Sequence, residues 1–279
     1  MIKSKAKKNI TTAVLLSLLI IYALTIIYPL FLMFITSLKT TREIFTNPFG
    51  LPEKFNLSGY VKLLTISHYL KYFKNSLIVS FVSLAIVMVS SSTASYILAK
   101  YNIRGRGFLY LFFVAGLIIP IRLGTISIMR MMIGINLNNH LMSVIILSTA
   151  VGIPFGVFIL TDFIKMIPEE LSNAARIDGC SEPGIFRIVI LPLLRPALAA
   201  VAIVNFIPIW NDFWFPLVLL KDDSVRTVPL ATALLFGQYS TDYGLVFAVL
   251  SMASIPVITI YLIFSKQFVK GLSSGALKG

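Results

Sequence analysis

Long uncharged runs alternate along this chain with short polar turns. Residues 9–38 contain no Asp, Glu, Lys or Arg, and Ala13–Ile35 is almost wholly apolar. The stretches 75–99 and 131–161 are likewise uncharged, with Leu141–Thr161 the densest part of the second, and Tyr243–Ser265 is the last such run. Two weaker runs lie between them: Phe108–Met129, interrupted by Pro120 and Arg122, and Pro196–Leu220, interrupted only by Asp212. About 20 apolar residues in a helix cross the hydrocarbon core of a bilayer. These runs are too long for barrel strands and do not alternate. The pattern therefore predicts an all-α, polytopic membrane protein. Its six transmembrane helices fall near 10–38, 75–99, 108–129, 141–164, 197–220 and 243–265, in a single domain over 1–279. The first run is too long for a cleaved signal peptide, and no small-x-small site follows it.

Composition sharpens this picture. Of 279 residues, 57% are hydrophobic and 13% charged, so a water-soluble globule could not cover its own core. The same figures exclude disorder and collagen. A net charge of +13 in so apolar a chain suits anionic lipid headgroups better than nucleic acid. One cysteine excludes a disulfide framework and a zinc site of paired thiolates, and two histidines with 11 acids leave little for metal or acid–base chemistry. No metal site is expected. Six spans put both termini on one side. With that side cytoplasmic, 14 of the 24 Lys and Arg residues lie inside, concentrated in Lys3–Lys8 and the Lys100–Arg106 turn.

Two connections are long, about 39–73 outside and 165–197 inside. The inner one has its own structure. Pro168 followed by Glu169 and Glu170 marks a helix start, because Pro suits the first turn and acids there favour the helix dipole. Leu171, Ala174, Ala175 and Asp178 follow at helical spacing, and Gly179 can end the helix in a left-handed conformation. Pro183 opens a second short helix, and Pro192 and Pro196 mark re-entry into the membrane. Such an element is either an amphipathic pair lying on lipid or a docking knob for another protein.

This segment resembles the EAA loop of permease subunits of bacterial ABC importers. The family pattern falls on Asn173-Ala174-Ala175, Gly179 and Val189-Ile190-Leu191-Pro192, with Asn173 standing where the family usually has Glu. The tail Phe268–Gly279, the group Trp210-Asn-Asp-Phe213 with Pro216, and Tyr72-Phe-Lys-Asn-Ser76 resemble the carbohydrate-uptake branch, specifically its maltose-permease-G-like subunit. The resemblance covers nearly the whole chain. It implies a permease that imports a sugar, an oligosaccharide above other solutes, delivered by an extracellular solute-binding protein. The partners it implies are a second homologous permease and two ATPase subunits, whose closure would drive alternating access through the loop. The bacterial cell membrane would hold the chain, with lipid around it and both termini in the cytoplasm.

A P-loop needs Gly-Lys, and no such dipeptide occurs here. The chain is thus expected to bind no cofactor and to be no enzyme itself, with ATP and Mg on the partner. The resemblance assigns ATPase coupling to Glu170, Ala174, Ala175, Arg176, Asp178, Gly179, Leu191 and Pro192 of the 167–192 loop. It places the tail residues Gly271, Gly275, Ala276, Lys278 and Gly279 between the ATPase subunits, the alternative being a frayed terminus. Asp212 is the only charge between Arg195 and Lys221, and an ionisable group within a span points to a pathway. With Asn205, Trp210 and Asn211 it forms a candidate translocation path, since aromatic faces and amides suit sugars. The competing reading of Trp210 and Trp214 is an interfacial belt. Gly152 and Gly156, four apart, suggest a close helix contact. A membrane enzyme or scaffold with a docking loop, or a permease for a non-sugar solute, remains the rival.

Overall fold

The computed structural model of the chain describes residues 2–65, 68–238 and 242–276, with side chains described over 11–65, 68–234 and 242–267. Every regular element among the described residues is helical. In order these are α1 (Ile2–Thr36), α2 (Thr41–Thr46), α3 (Ser58–Thr65), α4 (Tyr69–Lys100), α5 (Arg106–Ile118), α6 (Thr125–Gly134) and α7 (Leu141–Lys165). Then come α8 (Glu169–Ile177), α9 (Glu182–Ile185), α10 (Leu191–Leu193), α11 (Arg195–Trp210), α12 (Trp214–Leu219), α13 (Val228–Gln238) and α14 (Tyr243–Ala276).

Four helices are each long and apolar enough to cross a bilayer: α1 over Thr11–Thr36, α4, α7, and α14 over Tyr243–Gln267. The run predicted as one span over 108–129 is two helices, α5 and Ile121–Gly134, bent by 83°. The cause is Pro120, which lacks an amide donor and pushes Ile119 out of helical geometry, to ψ 121°. The run predicted over 197–220 also breaks. Its helix α11 stops at Trp210, and α12 restarts where the Asp212 carboxylate accepts from the Trp214 amide at 3.1 Å. A second bent pair joins Glu182–Leu193 to Arg195–Trp210 at 75°, and counting it and the 83° pair as one crossing each gives up to six spans.

Two compact units divide the chain. The first comprises Met1–His68 and Thr232–Ala253. Here α2 and α3 occupy the connection read from the sequence as a long loop. Lys39 is 1% exposed, and its ammonium donates to the carbonyls of Asn47 (2.7 Å) and Pro48 (3.4 Å). The Asn56 amide returns to the Leu38 carbonyl, and Lys62 pairs with Asp242 at 2.6 Å. Gly59 abuts Gly244 so closely that a Cβ on it would lie 2.5 Å from the Gly244 carbonyl oxygen.

The second unit comprises Tyr69–Ala231 and Ser254–Gly279 and is organised on α4 and α7. Ser76, Ser80, Ser83, Ser91 and Ser95 recur at helical spacing on α4 and are all buried. Small side chains let helix backbones approach, and two of these hydroxyls find partners across the seam. Ser83 donates to the Ile145 carbonyl and Ser95 to that of Val157, both at 3.3 Å. The matching order of these pairs makes α4 and α7 parallel. Gly156 completes the seam: a Cβ there would lie 2.5 Å from Ser91. In contrast, α11 runs antiparallel to α4, with Phe206 against Phe81 and Trp210 against Phe73. The start of α4 is tied to the 222–228 segment by the Tyr72-Phe-Lys-Asn-Ser76 motif. Tyr72 donates to Asp223, Asn75 to the carbonyls of Ser224 and Arg226, and Ser76 accepts from the Val228 amide.

Candidate functional site

The segment between α7 and α11 is built as a braced protrusion. Pro168 precedes α8, and Gly179, at φ +81°, ends the turn after it. A side chain in that left-handed region is strained, whereas glycine adopts it freely. Among the described residues nothing lies within 4 Å of a Cβ built on Gly179, so backbone conformation rather than crowding requires the glycine. From α9 the chain continues through a wider π turn, Phe186–Ile190, into α10. One face is apolar and inward: Ile185, Ile190 and Leu194 pack with Tyr96 and Ile164, and Ala175, Cys180 and Phe186 flank them.

Polar contacts fasten this protrusion to the C-terminal end of α4. The Lys100 ammonium, on a nearly buried side chain, donates to the Ile167 carbonyl at 2.7 Å and to Glu169 at 3.0 Å. Glu182 accepts from Arg176 at 2.7 Å, from the Tyr101 hydroxyl at 2.6 Å and from the Tyr96 hydroxyl at 3.3 Å. The Arg176 contact first, and then Tyr101, hold the Glu182 carboxyl down at about 2. Donation from Lys100 likewise lowers Glu169, and the Glu182 contact raises the Tyr101 phenol. Arg176 also donates to Asn173 at 2.7 Å and reaches Glu169 at 3.4 Å.

The predicted coupling residues thus divide. Glu170, Ala174, Asp178, Gly179 and Pro192 are exposed. Ala175 and Leu191 are half-buried, Ala175 packing inward, and Arg176 is exposed but braces the loop through Glu182. Ile177, 86% exposed at the tip of α8, was not singled out from the sequence. Its signal was available: an apolar side chain between charged neighbours at the end of an amphipathic helix. Of the tail residues, Gly271, Gly275 and Ala276 continue the backbone of α14, while Lys278 and Gly279 lie outside the described residues.

The four path candidates also divide. A cavity of about 310 Å³ opens where the two broken runs face α7. Arg122, Ser148, Gly152, Asn205 and Asp212 line it among apolar side chains. Asn205 is buried and donates to the Val201 carbonyl at 2.9 Å. A Cβ on Gly152 would lie 2.6 Å from the Asn205 amide oxygen, so glycine there gives that side chain its room. Trp210 is packed away from the cavity. It is 2% exposed, stacked on Phe206 and edge-on to Phe73. Asn211 turns back to the Ile207 carbonyl at 3.0 Å. Neither lines the cavity. Sequence reasoning missed Ser148; its hydroxyl, one turn before Gly152, was the available cue.

Apolar helices long enough to cross a bilayer, two broken apolar runs and a polar-lined cavity beside them are the features of a polytopic transport-type membrane protein. Residues 91–274 match the family described as binding-protein-dependent transport system inner membrane component, and the chain belongs to that family. It is a multi-pass component of the cytoplasmic membrane, of a family of ABC transporter permease subunits that are not themselves enzymes. The diacetylchitobiose uptake system permease protein NgcG of Streptomyces coelicolor is 33% identical over 94% of this chain and 87% of its own. The multiple sugar-binding transport system permease protein MsmG of Streptococcus mutans is 34% identical over 94% of this chain and 95% of its own. A crystal structure of a bacterial ABC transporter involved in import of the acidic polysaccharide alginate contains a similar chain. It superposes with a TM-score of 0.78 at 24% identity, over 93% of this chain and 97% of that one.

Proposed function

We infer that this chain is the permease subunit of an ATP-driven importer of an oligosaccharide. The single observation that carries the mechanism is the braced protrusion, which offers Ala174, Ile177, Asp178 and Gly179 outward while Lys100 and Glu182 hold its base on α4. A rigid knob of this kind transmits a push; a floppy linker would absorb it. The sugar substrate is supported by the relatives, since both of those described above are named for saccharide transport.

The complete importer pairs this chain with a second homologous permease, two ATPase subunits and an extracellular solute-binding protein. ATP and Mg are held by the ATPases, and this chain binds neither. Both termini and the protrusion face the cytoplasm, in keeping with the basic Lys3–Lys8 and Lys100–Arg106 segments. ATPase closure moves the protrusion, and the bundle exchanges inward- and outward-facing states. The sugar passes the cavity at Asn205 and Asp212, where amide, hydroxyl and carboxylate groups meet its hydroxyls.

The test is a gentle detergent extraction of the tagged chain from its native membrane, with mass spectrometry of its companions. Recovery of a second permease and a P-loop ATPase is the expected result. Recovery of the chain alone, from an extract in which other membrane complexes survive, would refute the reading.

A further inference from the structure

We propose that Glu182 is a positioning residue that latches the coupling protrusion to α4, so that movement of the protrusion is delivered to that helix; this rests on the docking role assigned above. The inference comes from convergence. One carboxylate accepts from Arg176 within the protrusion and from Tyr101 and Tyr96 at the end of α4. Tyr96 and Tyr101 meet edge to face at 5.7 Å, and Phe186 leans on Tyr96 at 5.1 Å, which fixes both phenols around the carboxylate. The protrusion already follows α7 by covalent continuity. Without the latch, a push on α8 would reach α4 through the Lys100–Glu169 pair at the first residue of α8 and through apolar contacts, and the segment after Gly179 could slide. With it, α4 and α7 receive the same displacement at the same end. Lys100 reinforces the attachment through the Ile167 carbonyl and Glu169, but both bonds lie at the α7 side of the protrusion, no further along than the first residue of α8. Among the described residues, Glu182 alone ties the segment after Gly179 to the end of α4 through charge-assisted hydrogen bonds, which are the stronger kind.

The test uses the assembled importer in proteoliposomes, on a Cys180→Ala background, and needs no knowledge of the sugar. One reporter is Ala174→Cys, cross-linked to the ATPase. The other is Ser148→Cys in the cavity, labelled by a membrane-impermeant maleimide with and without MgATP plus vanadate. On the background, nucleotide is expected to change the labelling rate about tenfold. In Glu182→Gln the Ala174 cross-link and ATP hydrolysis persist, while that change shrinks to less than about twofold. Tyr101→Phe, which removes one hydroxyl and leaves the Arg176 strut, gives an intermediate loss, and the double variant is no worse than Glu182→Gln alone. A full nucleotide response in Glu182→Gln overturns the latch. Loss of the cross-link in Glu182→Gln also overturns it, because the carboxylate then only keeps the protrusion folded. Absence of the Ala174 cross-link in the background sinks the docking role itself, and the latch with it.

Discussion

Replacing Gly156 by alanine sets two opposed effects against each other. Alanine in a helix interior is favoured over glycine by about 1 kcal/mol. The added methyl, however, would lie 2.5 Å from both the Cβ and the hydroxyl oxygen of Ser91, and real Cβ contacts are essentially never closer than 3.0 Å. The α4–α7 seam must part, and overpacking of this kind costs about 1–3 kcal/mol. The net loss is thus roughly zero to 2 kcal/mol, which alone is hard to read. A control isolates the packing effect. Gly107, in the first turn of α5, has nothing within 4 Å of an added Cβ. Propensity largely cancels between Gly156→Ala and Gly107→Ala, so the first should be less stable than the second by about 1–3 kcal/mol. Thermal unfolding in mild detergent, followed by monodispersity on size exclusion, measures the difference. Adding Ser91→Gly to Gly156→Ala removes both crowding atoms and should restore most of the loss. Equal midpoints for the two alanine variants would refute the close contact.

Three further outcomes are expected. Gly179→Asp should insert and express normally yet lose uptake, because a side chain at φ +81° strains the turn by about 1–2 kcal/mol and places a charge on the exposed tip; a well-expressed variant with normal uptake would contradict this. Lys39→Met should expose the 40–57 segment to protease, since it strands the Asn47 and Pro48 carbonyls at about 1–3 kcal/mol; unchanged cleavage would count against the staple. Glu182 has a folded value of about 2, below its ordinary 4.5, so its contribution is complete above 4.5 and fades as pH falls from there toward 2. Amide exchange across 178–186 should therefore be equally protected at pH 7 and pH 5 after correction for intrinsic rates, and a loss of protection already at pH 5 would argue against the assigned contacts.

The spans were legible because lipid imposes long apolar runs that no local contact can disguise. Their interruptions were less so. Pro120 and Asp212 were visible as blemishes, but a window that averages hydropathy does not say that the chain turns by 83° at one of them. The helix of the protrusion was readable from Pro168, the paired acids and Gly179, since each acts locally. Arg176 was not, because its role depends on Glu182 lying across a turn, and the Lys100–Glu169 and Tyr101–Glu182 contacts join residues that are 69 and 81 apart. Trp210 shows the same limit. An aromatic beside amides suits a sugar path or an interfacial belt equally, and its packing against Phe73 and Phe206 joins residues too far apart for a local pattern to show. Gly152 and Gly156 were seen as a small face, while the serine stripe that meets one of them on α4 was overlooked.

The parallel run of α4 and α7 has a mechanical consequence. With 32 residues, α4 is a rod of about 48 Å at 1.5 Å per residue. Its Lys100 end is gripped by the protrusion, and its Tyr69 end carries the hydrogen bonds to the 222–228 segment. A tilt of about 5° about one end of such a rod sweeps the other through about 4 Å, most of the diameter of a sugar ring. The serine seam makes α7 tilt with it, so the pair acts as one stiff beam pivoting beside the cavity. On the proposed mechanism, a stroke of about 4 Å delivered at the Lys100 end would tilt both helices together beside the cavity rather than bend one of them.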